Sequence, residues 1–283
     1  MAYPDMIVSL PQIAPPRFSL VQSAEVVNHP TDRFAGGVTW TPEPWNGEGG
    51  GTIGVTAVDD PGGNPVQFYA RNAPATGQPF GIWASEKSSS FGLDWPELQA
   101  RVQRKLAAYE SGIIEGFLWD DPVNLNPDLK LASASATTVG SSAGHAVMDA
   151  FGYLDMAIAQ TWGRGMIHCR PILLNIGIST QFIHQEGNVW MTSMGNIVVP
   201  GVGYSGTGPN GEAADFESEW AYATPPVQVH RGAVFTTPGE LREATNKAEN
   251  TVSVHAMRLA LAAWDYTEGH FAVKVVHRDP GTV

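Results

Sequence analysis

The sequence predicts an α+β fold, on three observations. Residues 94–119 (DWPELQARVQRKLAAYESGIIEGFLW) carry the cap and the apolar period of one long helix. Strand-like runs are scattered from residue 52 to residue 277, so strands far apart in the chain must pair with one another. No internal repeat divides the chain into equivalent units.

The helix is the element around which the others are placed. Asp94 is a good N-cap, Glu97 completes a capping box, and Pro96 sits in the first turn, where its missing N–H is harmless. Leu98, Val102, Leu106, Tyr109, Ile113 and Phe117 recur at steps of four and three and line one apolar stripe. Arg101, Arg104, Lys105 and Glu115 fall largely off that stripe. At 1.5 Å per residue the helix is roughly 35 to 40 Å long, about twice the usual globular length, which makes it a strut. Its unspecific reading is a long helix crossing one face of an ordinary sheet.

Taken in order, residues 1–38 carry Pro4, Pro11, Pro15, Pro16 and Pro30 with no sustained period, and read as an arm laid across other structure. In residues 38–80, glycines clustered between 47 and 51 and the turn at Asp60, Pro61, Gly62 and Gly63 bound two strand-like runs, 52–57 and 66–71. This two-stranded loop has little core of its own, and a lone hairpin is marginal in water, so its stability must come from docking on something else. Residues 120–136 are polar and proline-punctuated. A second helix follows: Ser141 or Ser142 can cap it, Val147, Phe151, Leu154, Ile158 and Trp162 share a face, and Gly163 ends it. Residues 166–169 read as a buried strand, and Pro171 opens a short helix stopping near Gly177. Runs 189–194 and 197–204 flank Gly195 and Asn196 as a hairpin, followed by the glycine-rich loop 203–220. Residues 227–235 read as a strand and 238–249 as a short helix. Residues 251–265 and 270–277 form two long strands joined by a turn at 266–269.

Composition narrows the function. A chain of 283 residues buries a substantial core without a metal or disulfide, and its one cysteine, Cys169, rules out an internal disulfide. No apolar run is long enough to span a membrane, and the N-terminus lacks a signal-peptide pattern, so no membrane partner is expected. Charged residues are only 16%, below the roughly 25% of a typical domain; surface not covered by charge is often covered by a partner, which points to an extensive oligomer. A net charge of −12 disfavours phosphate-tracking nucleic-acid binding.

Candidate chemistry is sparse. Gly206, Gly208 and Gly211 formally match GxGxxG, but Pro209 removes an amide and Glu212, Asp215, Glu217 and Glu219 would repel phosphate, so the segment reads as a flexible loop tip. None of the eight histidines forms an HxxxH or HxH set; His168 and Cys169, adjacent in a strand, face opposite ways. Ser205 lies near a nucleophile-elbow pattern in which Thr207 replaces the closing glycine. Asp120 and Asp121 read as a helix exit, and Trp40, Trp45 and Trp83 as core or interface residues that could alternatively stack on sugars. The expectation is no catalytic residue, no cofactor and no metal, hence not an enzyme.

Assembled in order, the parts resemble the major capsid proteins of tailed double-stranded DNA phages, the Hong Kong 97 fold, particularly those of actinobacteriophages. The pieces that carry the resemblance are the proline-rich arm, the glycine-rich loop 38–80, the helix from Asp94, TWGRGMIHCR, GNVWMTSMGNIVVPGVGYSGTGPNG, and the closing NTVSVHAMRLALAAWD and HFAVKVV. The most specific are GRGMIH, VVPGVGYSGTGP and the NTV of Asn250, Thr251 and Val252.

The resemblance implies an N-terminal arm (1–37), an extended loop (38–80), the spine helix with a peripheral domain (81–165), an axial domain (166–226), and closing strands shared by both domains (227–283). It implies assembly into pentamers and hexamers of an icosahedral shell around DNA, in a virion built in the host cytoplasm. The extended loop would overlie a neighbour's spine helix and the loop 204–210 would lie near a capsomer centre. On that basis Trp45, Ile53, Val55, Phe68, Tyr69, Arg101, Arg104, Tyr204, Pro209 and Asn210 are the expected subunit-interface residues. Scaffolding, portal and decoration proteins are the partners implied besides the chain itself. The start is too short for an N-terminal scaffolding segment ahead of the arm, so a separate scaffold is expected. No lysine of Lys87, Lys105, Lys130, Lys247 and Lys274 lies in the extended loop, so no Lys–Asn cross-link is expected. An encapsulin-type compartment shell has the same fold and stays open, as does a Trp-rich carbohydrate-binding or hydrolytic protein.

Overall fold

The structure, a computed structural model, describes residues 14–41, 74–89, 94–215 and 217–277. The predicted strand runs 52–57 and 66–71, with Trp45, Ile53, Val55, Phe68 and Tyr69, lie outside the described residues. In chain order the first elements are α1 (Leu20–Ser23), β1 (Glu25–His29), β2 (Val38–Trp40), β3 (Ala75–Gly77), β4 (Phe80–Ser89) and the long α2 (Trp95–Asp120). Next come β5 (Thr137–Thr138), β6 (His145–Ala146), α3 (Val147–Thr161), β7 (Met166–Cys169), α4 (Pro171–Ser179), β8 (Ile183–Glu186), β9 (Val189–Thr192) and β10 (Ile197–Pro200). The chain closes with β11 (Ser218–Thr224), β12 (Gln228–Gly232), β13 (Phe235–Thr237), α5 (Leu241–Ala244), β14 (Thr245–Asn246), β15 (Thr251–Ala263) and β16 (Phe271–Val276).

Two sheets carry the architecture. The first is built on β15, which pairs antiparallel with β4 from Phe80↔Ala260 to Ser89↔Thr251 and also pairs with β12, β13 and β14. The second runs β5-β16-β11-β7-β10-β9-β8, with β6 also on β16. The two closing strands therefore enter different sheets, and the 3-10 turn Tyr266–Glu268 crosses between them instead of closing a hairpin. β2 and β3 pair antiparallel, with Val38 opposite Gly77, and clamp the two ends of the extended loop together.

Helix α2 starts as predicted, with the Asp94 carboxylate accepting the Glu97 N–H at 3.5 Å. Its buried face differs from the predicted stripe. Leu98, Val102 and Leu106 are buried, but the row continues through Glu110, Ile114 and Leu118, while Tyr109 is 51% exposed and Ile113 and Phe117 are half-buried. Steps of four form a single helix ridge, and this ridge runs unbroken from 98 to 118 across β4 and β15. The acidic residue at 110 hides the row from a hydrophobicity pattern. Glu115, expected off the stripe, is also fully buried.

Several predicted boundaries move for local reasons. The arm is partly woven into the first sheet: β1 pairs in parallel with β12, Val26 opposite Val229. Helix α3 is preceded by Ala146, without a side-chain cap, because His145 and Ala146 pair with β16; Ser141 instead caps a turn by accepting the Ala143 N–H at 3.2 Å. Its apolar face is as read, and Gly163, at φ 74, donates its N–H to the Ile158 carbonyl beyond the last turn. This helix packs with α4 on the second sheet, so a boundary at 165 cuts through the second core. Helix α4 passes Gly177, which is required by packing: a Cβ there would sit 2.3 Å from Ile183 Cδ1. The strand read at 227–235 is two strands, and the helix read at 238–249 shrinks to α5 and the bridging β14.

Candidate functional site

Three parts of the chain meet at the C-terminal half of α2: the arm, the helix and the glycine-rich loop after β10. The meeting point is the buried Glu115 carboxylate. Its Oε1 accepts the Leu20 N–H at 3.0 Å and the Ser111 hydroxyl at 3.0 Å, and its Oε2 accepts the Gly203 N–H at 3.0 Å. Burial raises its pKa, and these donors oppose the rise. At Gly203 the loop backbone lies so close to the helix that an added Cβ would meet the Gly112 carbonyl.

The following residues are tied to the same helix. Trp119 Nε1 donates to the Thr207 carbonyl and hydroxyl, each at 3.1 Å, and the Tyr222 hydroxyl donates to that carbonyl at 3.1 Å. The Thr207 hydroxyl donates to Asp120 at 2.7 Å. Tyr204 is 3% exposed, tilted against Trp119, with its hydroxyl 2.8 Å from His168 Nδ1. Residues 203–208 are thus a packed segment, which corrects the flexible-tip reading. Tyr204 is thus buried within its own chain. Pro209 is half-buried, Asn210 is exposed in the left-handed region at φ 59, and Val202 is 58% exposed.

The glycines of GTGPNG serve packing and turns. Gly206 has φ 81, and a Cβ on Gly208 would stand 2.2 Å from Trp220 Nε1. Only a three-residue 3-10 helix, Pro209–Gly211, follows them.

On the first half of α2, Arg101 and Arg104 project outward. Arg104 pairs with Glu97 at 2.7 Å, and Arg101 lies 3.9 Å from Glu86, which Lys105 also approaches at 3.3 Å. Trp83 on β4 is 64% exposed and meets His255 of β15 edge-on at 6.4 Å, so it is a surface residue.

The groups with catalytic names are each engaged in packing or local hydrogen bonds. His168 is fully buried; its Nε2 lies 2.9 Å from the Thr224 hydroxyl, and burial together with His270 pushes its pKa down to about 3. Cys169 points into the second core, and burial pushes its thiol well up. Ser205 Oγ lies 2.8 Å from the Thr207 hydroxyl, and Asp121 forms the left-handed exit of α2. Among the described residues, no group of three His, Cys, Asp or Glu side chains could hold a metal ion, and no helix is long and apolar enough to cross a membrane.

Sequence reasoning missed the buried ion pairs. Glu110 is bound by Arg258 Nη1 at 2.8 and 2.9 Å and lies 3.5 Å from Arg231; Glu219 pairs with Arg170 at 2.9 Å and with His277 at 3.0 Å. For Glu110 a signal existed: an acidic residue interrupting a four-residue apolar row.

No family model matches the chain, and no curated protein matches its sequence. Solved structures do match over almost its whole length. The holo-SrpI encapsulin complex from Synechococcus elongatus PCC 7942 has TM-score 0.59 and 10% identity, covering 100% of this chain and 95% of that one. The capsid of Ralstonia phage GP4 has TM-score 0.57 and 12% identity, covering 99% and 97%. The capsid of the native GTA particle has TM-score 0.55 and 15% identity, covering 97% and 95%. At such identities the likeness is one of fold: the chain has the α+β Hong Kong 97-type capsid fold.

Proposed function

We propose that this protein is the major capsid protein of a tailed double-stranded DNA phage, a non-enzymatic subunit that assembles through pentamers and hexamers into an icosahedral shell. The observation that carries the reading is the end-to-end fold match with the Ralstonia phage capsid, in which neither chain has a substantial part left over. Exposed Arg101 and Asn210 and half-buried Arg104 and Pro209 are the described candidates for subunit contacts, and Trp45, Ile53, Val55, Phe68 and Tyr69 are the candidates outside the described residues. An interface assembled from one surface patch meeting a different patch closes into five- and six-membered rings. The net charge of −12 suits a container that must not bind its packaged DNA along the backbone. Scaffolding, portal and decoration proteins are the partners that fit this role, in a virion assembled in the host cytoplasm.

The encapsulin match supports a second reading, a protein-filled compartment with the same shell fold. Electron microscopy of the purified particle tests both. Closed icosahedral shells are expected; a DNA-filled interior selects the capsid and a protein cargo selects the compartment. A monodisperse monomer or dimer under all conditions, scaffold candidates present, would remove both.

A further inference from the structure

Between the arm and α2 lies a recess of about 310 Å³, lined by Ser19 and Gln22 on one side, Gln103 and Glu110 on the helix, and Arg231 and Arg258 of the first sheet. Its charges do not balance. Two guanidinium groups face one carboxylate, and all three are largely buried, with side-chain exposures of 23%, 12% and 7% for Arg231, Arg258 and Glu110.

The single carboxylate is already committed. Arg258 Nη1 holds both Glu110 oxygens at 2.8 and 2.9 Å, whereas Arg231 approaches only through Nε at 3.5 Å, without a hydrogen bond. The next acidic group, Glu115, is held by the Leu20 and Gly203 N–H groups and the Ser111 hydroxyl, not by an arginine. The Nε atoms of both Arg231 and Arg258 are buried without a hydrogen-bond partner, Ser19 makes no side-chain cap bond to α1, and Gln22 and Gln103 lie exposed at the rim. A partly buried positive charge without a counter-charge is costly, and a guanidinium fork matches a planar or tetrahedral oxyanion through two parallel hydrogen bonds.

We propose that this recess is a binding site for one oxyanion of the carboxylate or phosphate class, gripped by the Arg231 fork, with Ser19, Gln22 and Gln103 as neutral donors and Arg258 completing the charge balance. The recess has ample room for a carboxylate or an inorganic phosphate. The residues that line the site all belong to one chain, whatever supplies the anion.

The test is thermal unfolding of the purified full chain, titrated with sodium acetate or sodium phosphate against sodium chloride at one ionic strength of about 0.1 M. Wild type should show a saturable rise in midpoint over chloride. Arg231→Gln should weaken the apparent affinity about tenfold or more, the loss expected when a charge-assisted hydrogen-bonded pair is removed. Should that variant fail to fold, Gln103→Leu, at an exposed helix position, should lower the affinity for the oxyanion. Equal rises in wild type and in both variants, or a rise that never saturates, would overturn the site. Repeating the titration on assembled particles separates the sources of the anion. A rise that vanishes on assembly assigns the site to a carboxylate of a second copy, and one that persists assigns it to the free ion.

Discussion

Glu115 and Gly203 show how much of this fold hangs on single residues. Glu115→Ala would leave the Leu20 and Gly203 N–H groups without their acceptor, at about 1–3 kcal/mol for each stranded donor. A matching drop in the denaturant midpoint at unchanged slope is expected. Glu115→Gln tests the geometry rather than the charge, because its amide end would present donors to one of two N–H donors; it too should destabilise. Glycines separate more sharply. Gly203→Ala drives a Cβ into the Gly112 carbonyl, a backbone contact that cannot yield, and should cost about 1–3 kcal/mol or more. Gly152→Ala, inside α3 with nothing within 4 Å of the added carbon, should instead stabilise by up to about 1 kcal/mol. Thermal melts of the two variants shifting in the same direction would contradict this account of the packing.

At the scale of elements, legibility followed pattern. Helix α2 was readable because its cap, its length and the first three members of its row are all local signals. The row was lost at Glu110, since its partners, Arg231 and Arg258, come from strands more than a hundred residues away. Likewise β1 was hidden, because EVVNH becomes a strand only when β12 supplies a partner edge. Tyr204 and Thr207 were read as a loop tip for the same reason: glycine content marks a turn, while burial against Trp119 is a long-range fact. The buried histidines of these elements make a pH prediction. Burial, with a smaller contribution from His270, lowers His168, and burial lowers His270 and His230, the latter also through His29 2.9 Å away. A histidine whose folded pKa lies below the ordinary 6.5 binds fewer protons folded than unfolded, so its contribution is complete above that pH and is lost as pH falls. Each can contribute a slope of up to about 1.4 kcal/mol per pH unit. Glu115 and Asp155, raised by burial, act in the opposite sense, losing stability as pH rises through their windows, and soften the decline at the acid end. Unfolding midpoints should therefore fall between about pH 6.5 and pH 5, within the histidine window; a flat profile across that interval would mean the three rings are solvated in the folded state.

The described residues form a pair of cores, one under α2 and one under α3 and α4, joined by connections that cross between the two sheets. That division explains why overall shape identifies the fold when identity to the matched capsids is only 12% and 15%. Burial patterns survive sequence divergence because many apolar residues serve one position equally well. Charge is the molecular property that bears most directly on assembly. Each copy carries a net charge of −12, so on the proposed capsid reading copies brought together repel one another at long range. If apolar contact and loop docking provide the attraction, screening should help. Raising salt from about 0.01 M to about 0.15 M shortens the Debye length from about 30 Å to about 8 Å, and the yield of closed particles should rise across that interval. The exposed arginines of α2 set the opposing case. Arg101 and Arg104 are only partly neutralised by Glu86 and Glu97, and contacts from them to acidic residues of a neighbour would weaken with salt. Light scattering of assembling protein across the salt series, for wild type and an Arg101→Gln, Arg104→Gln double variant, distinguishes the two. A yield that rises with salt in both proteins means that mutual repulsion limits assembly; one that falls in wild type and not in the variant assigns the subunit contact to those arginines.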